Sequence, residues 1–544
     1  MGLLLLGLLY AFGAACFVNY FVMFARIRTT EKYIERREKL LAAHEALHGP
    51  VTAETESATP PPPPPPLLLR AEPLRVVFLH PDLGIGGAER LIVDAAVGLQ
   101  RCQSIQPVEV TIVTNHHDPT RAFAETTNGM VRVVVRGSRL PASILGRAKV
   151  LCATLRMGFA AFATCWAFPD TDCFVVDQVA AAMPVLNICA GKTPILFYSH
   201  FPDQLCNSNR NADGTFKTSS GSASAAHETY RGLFDQVEAS SMNFATSIVC
   251  NSKFSRQVSV DTFPALAERI REDADIFYPP VEMKVREVTA SALAESAPLR
   301  ELHAAVRDAV TFVSINRYER KKNVALAIEA FARVLAMGEF KAAEGRRPLM
   351  LVVAGGCDPR QEENVQHADE LVALATGKLQ IPASQVRFLK NITDEEKAVL
   401  LSEMRALVYT PSREHFGIVP VEAMAYAKPV VAIADGGPCE SVGDVEHEDP
   451  ALCGGLLSSP EPSEFAEKMA CFARDADYAA KVGAQGRARV VEKFSMETFS
   501  TQLATRLVEL RAAADNKLLA EGIEFAKKEA ASKAGKAAAK EKRE

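Results

Sequence analysis

Three short segments carry residues whose types and spacing could do chemistry. The most informative runs Thr410-Pro411-Ser412-Arg413-Glu414-His415-Phe416-Gly417-Ile418-Val419-Pro420-Val421-Glu422, after an apolar stretch and into a helical pattern. Pro420 suits the first helical turn, where its missing N–H is no loss. A helix start aims free N–H donors and about half a positive charge at what precedes it, which suits a diphosphate. Glu414 and Glu422 would repel that anion, so they read as acceptors for sugar and ribose hydroxyls. His415, Phe416, Gly417 and Ile418 lie beside the same ligand in this reading. The second segment, Ser314 to Asn323, sets Arg317, Lys321 and Lys322 around a turn. An Arg fork and a Lys point charge could grip a diphosphate from two directions. In the third, Gly84 to Arg90, Gly86 and Gly87 allow close backbone approach at a helix start. Its spacing is not the dinucleotide G-x-G-x-x-G, and a tight turn without a ligand explains it equally well. His200 and His415 are candidates for sugar or phosphate contact. No Cys/His ligand spacing indicates a metal, and cationic side chains can take the role of one on a diphosphate.

Ligands in open α/β sheets bind outside the carboxyl ends of the strands, so strands should precede each segment. They do. Short apolar runs occur at Arg75–Leu79, Val108–Thr114, Val131–Val135, Cys173–Val176, Ile195–Tyr198 and Ser247–Cys250. A second set follows at Thr311–Ile315, Met350–Ala354, Val386–Leu389, Ala406–Tyr409 and Pro429–Ala432. Helical patterns separate most of them, which predicts two doubly wound parallel sheets in series, joined near 278–311.

A chain of 544 residues is too long for one core. The net charge of -5 gives no general nucleic-acid surface. Twelve scattered cysteines without paired spacing read as reduced core residues, hence a reducing compartment. Gly2 to Ala25 holds no charged side chain and is long enough to span a bilayer as a helix; a cleaved signal peptide is the alternative. Arg26, Arg28, Lys32, Arg36, Arg37 and Lys39 follow it, placing the rest of the chain in the cytosol. Pro60 to Pro66 reads as a semi-rigid spacer or an SH3-type ligand. Asn207 to Ala225 reads as a mobile loop, and Lys540 to Glu544 offers a dilysine-like ending. The domains expected are an anchor at 1–28, a charged helix and linker at 29–72, an acceptor domain at 73–290, a donor domain at 291–511, and a polar Ala/Lys-rich tail at 512–544.

Glu414 and Glu422, with seven residues between them that include His415-Phe416-Gly417, resemble the paired-glutamate motif of family-four retaining glycosyltransferases. Arg317 and Lys322 are similar to the Arg/Lys pair of that family. The resemblance implies the GT-B architecture, two Rossmann-like domains facing a cleft, and donor chemistry without an enzyme nucleophile. His80 to Arg90, Phe197 to Asp203, Ser314 to Asn323 and Glu414 to Gly417 resemble more narrowly the α-1,3/1,6-mannosyltransferases of the dolichol-linked oligosaccharide pathway. That implies GDP-mannose as donor, a dolichyl-diphosphate-linked oligosaccharide as acceptor, and no further cofactor. It also implies the cytosolic face of the ER membrane, and other transferases of the pathway as partners. Another family-four membrane enzyme with a different lipid acceptor, or a non-catalytic scaffold, are the alternatives. The polar carboxyl end and single amino-terminal span depart from that pattern.

Overall fold

The computed structural model describes residues 2–52, 72–102, 105–144, 148–206, 225–283, 285–340, 347–443 and 452–541; side chains before Tyr20 are not described. The proline run, most of Asn207–Ala225 and the final residues 542–544 lie outside the described residues. The chain forms two compact units. The first comprises Met1–Cys250, Val258–Asp275 and Ser500–Glu544, and the second Asn251–Gln257 and Ile276–Phe499.

In the first unit six parallel strands lie in the order β3-β2-β1-β4-β5-β6. They are β1 Leu74–His80, β2 Val108–Thr114, β3 Arg132–Val135, β4 Cys173–Asp177, β5 Ile195–Ser199 and β6 Ser247–Cys250. β1 pairs in register with β2 from Leu74↔Val108 to His80↔Thr114, and with β4 from Val76↔Cys173 to Leu79↔Val176. Strand order reverses between β1 and β4, so their carboxyl ends flank the crevice where such sheets bind ligands.

The second unit repeats this winding, with sheet order β12-β11-β10-β7-β8-β9. Its strands are β7 Val310–Ile315, β8 Leu349–Gly355, β9 Val386–Lys390, β10 Ala406–Tyr409, β11 Val430–Ile433 and β12 Gly455–Ser458. β8 is buried along its whole length, as a central strand covered by helices on both faces must be. Phe312, Phe331, Leu351, Phe465 and Phe472 fill one face, and Val313, Val352, Leu407, Met424 and Phe494 the other. All eleven expected strands are present. β12, a four-residue strand opening on glycine, is the addition.

The terminal segments differ from the expectation. One helix spans Gly2–His48, and its charged half is part of the first unit rather than a separate linker. Thr29, Tyr33, Arg36 and Leu40 lie on one helical face. Thr29 donates to the Cys189 carbonyl at 2.6 Å, Tyr33 meets Thr193 at 2.9 Å, and Arg36 bonds Asp172 at 2.6 Å. Arg36 also grips both oxygens of Asp515 at 2.8 Å. That partner lies in the helix Met496–Glu541, expected to be a solvated tail beyond residue 511. Instead Asp515, Leu518 and Leu519 are buried, the last two against Leu40. Segment 500–511, assigned by sequence to the donor domain, likewise packs in the first unit, with Arg506 bonded to Asp275 at 2.6 Å.

Among the described residues one helix, Lys149–Ala167, is long and apolar enough to cross a membrane. Cys152, Met157, Ala160, Ala161, Thr164 and Cys165 on it are buried, while Leu155 and Phe159 are exposed. The ten described cysteines are free thiols, seven of them buried.

Candidate active-site elements of the two units

The second unit gathers the donor candidates at the ends of β7, β8, β10 and β11. After β7 the chain turns through Asn316–Glu319, and Tyr318 pins that turn: its buried hydroxyl donates to the carbonyls of Val353 at 3.1 Å and Leu389 at 3.2 Å. Gly355, at the end of β8, has φ +148, and a Cβ there would stand 2.6 Å from the Asn316 carbonyl carbon. Only glycine fits at that approach. Arg317 and Lys321 both reach Glu319, at 2.9 and 3.1 Å, with most of each side chain exposed. Lys322 is different. It is largely buried and pairs with Glu414 at 2.5 Å.

Glu414 stands in the loop between β10 and the helix Ile418–Ala425. The Tyr409 hydroxyl donates to the same carboxylate oxygen at 3.1 Å, and Thr410 donates to the Lys322 carbonyl at 2.9 Å, tying the two loops together. Burial pushes the Glu414 carboxyl up; the Lys322 ammonium, His415 and the Tyr409 hydroxyl outweigh it and hold the group below the usual carboxylate range. Beside Glu414, burial and that carboxylate push the Tyr409 hydroxyl well above the usual phenol range.

The loop is held in a strained shape. Arg413 has φ 50 and its N–H donates to Asp435 at 3.0 Å. Gly436 (φ +68) and Gly437 follow β11 and press against it: a Cβ on Gly436 would be 2.8 Å from the Glu414 carbonyl oxygen, and one on Gly437 2.6 Å from the Phe416 backbone. Gly437 donates to the Glu414 carbonyl at 2.7 Å. Gly417, with φ 83, precedes the helix and gives it no side-chain cap. No side chain therefore caps the first N–H groups of that helix, those of Ile418 and Val419.

Glu422 lies within this helix. One of its oxygens pairs with Lys397 at 2.6 Å, and the other is buried without a partner. Lys397 is set by the helix Asp394–Glu403, which begins with a Thr393/Glu396 capping box. Phe416 turns its side chain inward. Its ring is buried between Tyr278 at 5.6 Å and Phe494 at 5.4 Å, so only its backbone belongs to the loop's ligand side. The His415 carbonyl accepts from Ser252 and from Ser255. Ile418 is about one-third exposed at the helix start.

In the first unit Gly86 caps the helix Gly87–Arg101 with extended backbone. The Glu89 carboxylate folds over it, so that a Cβ on Gly86 would lie 3.0 Å from Glu89 Cδ. A carboxylate of the protein thus covers part of the Gly-rich turn, while Gly87 opens on free space. His200 follows β5. Its Nε2 meets Asp177 Oδ2 at 3.1 Å, and Asp177 also bonds His80 Nδ1 at 2.8 Å. The sequence reading passed over Asp177, Tyr409, Lys397, Gly355, Gly436 and Gly437; each sits at or just beyond a strand end or in a helix beside one, which was the available signal. Among the described residues no three His, Cys, Asp or Glu side chains converge as metal ligands.

Two family models match the two units in turn: Glycosyltransferase Family 4 over residues 85–272 and Glycosyl transferases group 1 over residues 298–489. Solved structures share the fold. Sucrose-phosphate synthase from Thermosynechococcus elongatus aligns with TM-score 0.59 at 18% identity, covering 81% of this chain and 100% of its own. Anabaena HepE in complex with UDP and glucose aligns with TM-score 0.53 at 18% identity, over 80% of this chain and 99% of its own. The architecture is GT-B. Alpha-1,3/1,6-mannosyltransferase ALG2 of Rhizomucor pusillus is 36% identical over 81% of this chain and 93% of its own length. The Homo sapiens protein of that name is 38% identical over 79% and 94%. With such identity across most of both chains, and both glycosyltransferase models matched in order, this chain belongs to the alpha-1,3/1,6-mannosyltransferase family.

Proposed function

We propose that this chain is a retaining GDP-mannose-dependent mannosyltransferase. It adds α-1,3- and α-1,6-linked mannose to dolichyl-diphosphate mannosyl-chitobiose, in the lipid-linked oligosaccharide assembly that serves N-glycosylation. The observation that carries the donor chemistry is the convergence of Lys322 and Glu414, at 2.5 Å, before an uncapped helix start. The mannosyl linkages are supported by the relatives' names.

Charge develops on the leaving diphosphate as the glycosidic bond breaks. Arg317, Lys321, Lys322 and the N–H groups opening the helix Ile418–Ala425 stabilise it, each well-placed donor contributing about 3 kcal/mol. An ammonium has three donors, so Lys322 keeps its bond to Glu414 while binding phosphate. Glu414 accepts from mannose hydroxyls near the reacting carbon. The unpartnered oxygen of Glu422 suits a ribose hydroxyl, since a buried acceptor left alone is costly. Retention then follows from same-face substitution through an oxocarbenium-like state. The acceptor replaces the departing diphosphate, to which its hydroxyl proton passes.

The proposed setting is the ER membrane, with Gly2–Ala25 as the anchor and both units cytosolic. Arg26, Arg28 and Lys32 just after the apolar run, and ten free thiols, support that side. The full chain, purified in detergent, is given GDP-mannose and phytanyl-diphosphate mannosyl-chitobiose and the lipid products are weighed by mass spectrometry. Gain of two hexoses is expected. An unextended acceptor, or extension from another sugar nucleotide in its place, overturns the reading.

A further inference from the structure

Asp177 ends β4 at the reversal of strand order in the first unit and is wholly buried. Its carboxylate is bonded to two imidazoles: His80 Nδ1 at 2.8 and 3.0 Å, and His200 Nε2 at 3.1 Å. The next residue, Gln178, holds φ 56, a left-handed shape that costs a non-glycine side chain energy and clusters at functional positions. On its far side His80 Nε2 is buried without a hydrogen-bond partner, 4.0 Å from Glu89. Burying a carboxylate costs several kcal/mol, and a purely structural position of this shape is served as well by apolar side chains. His200 alone of the two imidazoles is partly exposed, its ring 5.0 Å from that of Tyr198.

We propose that Asp177 is a positioning residue that makes His200 a hydrogen-bond acceptor for a sugar hydroxyl. The proposal rests on the transferase reading above. An ionised carboxylate only accepts, so each ring nitrogen facing it carries a hydrogen. His80 Nδ1–H and His200 Nε2–H are therefore both donors to Asp177. In the neutral tautomer that this bond selects, the remaining nitrogen of His200, Nδ1, has a free lone pair. It takes a hydroxyl hydrogen and offers nothing to a phosphate oxygen. His80 supports the carboxylate from within: burial pushes its imidazole toward the neutral form, and Asp177, then Glu89 and the Asp82 backbone, outweigh that and favour the charged one. Asp177 is correspondingly held below the usual carboxylate range against its own burial, by His80 and by the hydrogen bond from His200. Asp177 thus selects which of two ligand chemistries His200 can serve.

The test uses the full chain in detergent. Wild-type transfer from GDP-mannose comes first, and its failure counts against the transferase reading alone. In an active preparation, kcat and GDP affinity by calorimetry are measured for Asp177→Asn, His200→Ala and the double variant. An Asn amide must donate to one ring and so turns its tautomer, the logic by which carboxylate-to-amide changes disable a serine-protease triad. We expect Asp177→Asn to lower kcat about ten- to a hundred-fold, with GDP affinity unchanged, and to have no further effect once His200 is alanine. Full activity in Asp177→Asn, an equal loss in both backgrounds, or weakened GDP binding in His200→Ala overturns the proposal. Should Asp177→Asn not fold, two replacements at His200 decide. His200→Asn, which can set an amide oxygen at the Nδ1 position, should retain more activity than His200→Lys. The opposite order would mark a phosphate contact and overturn the proposal.

Discussion

The two units wind their sheets in the same order, yet fill the strand ends with opposite materials. In the second unit the ends of β7 and β10 carry Arg317, Lys321, Lys322 and an uncapped helix start, with Glu414 neutralising one lysine. In the first, the ends of β1, β4 and β5 carry imidazoles around one buried carboxylate, and Glu89 covers part of the Gly-rich turn. On the readings proposed above, one set of ends receives negative charge and the other receives hydroxyls. Under that proposal the same scaffold separates leaving-group chemistry from sugar recognition by side-chain choice alone.

The comparison breaks most visibly at Lys322. Lys322→Ala should lower kcat about a thousand-fold in a chain that still folds by circular dichroism; unimpaired turnover would remove the charge asymmetry. Glu414 gives this pair a pH signature. A depressed carboxyl contributes its stabilisation above the unfolded range and loses it only as pH falls through the lower folded value. The pair should therefore persist as pH drops through the ordinary glutamate range, which a titration of the Glu414 carboxyl by NMR would read. Next in size, Asp515→Ala should destabilise the first unit by about 3 kcal/mol, because Arg36 and the buried Arg511 lose their partner. Chemical denaturation would show the first unit's transition move and the second's stay. Gly437→Ala should cost the second unit about 2 kcal/mol, since the Phe416 backbone cannot yield to a Cβ; an unshifted transition would mean that the loop adapts. Smallest, Glu422→Gln should raise the KM for GDP-mannose about ten-fold with kcat little changed, and a pure kcat loss would place Glu422 in chemistry instead.

The strands were legible because a buried parallel strand must be a short apolar run, whatever else the chain does. β12 escaped because Gly455-Leu456-Leu457-Ser458 has only two large apolar residues to mark it. At the site, Arg317, Lys322, Glu414 and Glu422 could be read from local spacing. Gly355, Gly436 and Gly437 could not, since each needs glycine only because a segment distant in sequence comes within contact of its Cα. Asp177 was invisible for a related reason: its partners lie 97 and 23 residues away. The terminal helices misled through composition. Leu518, Leu519 and Asp515 form one narrow face in a segment otherwise rich in Ala, Lys and Glu, and a partner helix nearly five hundred residues away gives that face its meaning.

That pairing of terminal helices has a consequence for synthesis. The first unit is interrupted by the whole of the second, and its last helix, carrying Arg506, Arg511 and Asp515, leaves the ribosome after every other part of it. Through that interval Arg36, Asp172 and Asp275 lack Asp515, Arg511 and Arg506, which they hold in the finished protein. The second unit can complete its core meanwhile, as domains do during translation. The first cannot. Its final step is a closure between helices near the two ends of the chain, so a premature stop near residue 500 would spare the second unit's sheet and leave the first unit unfinished.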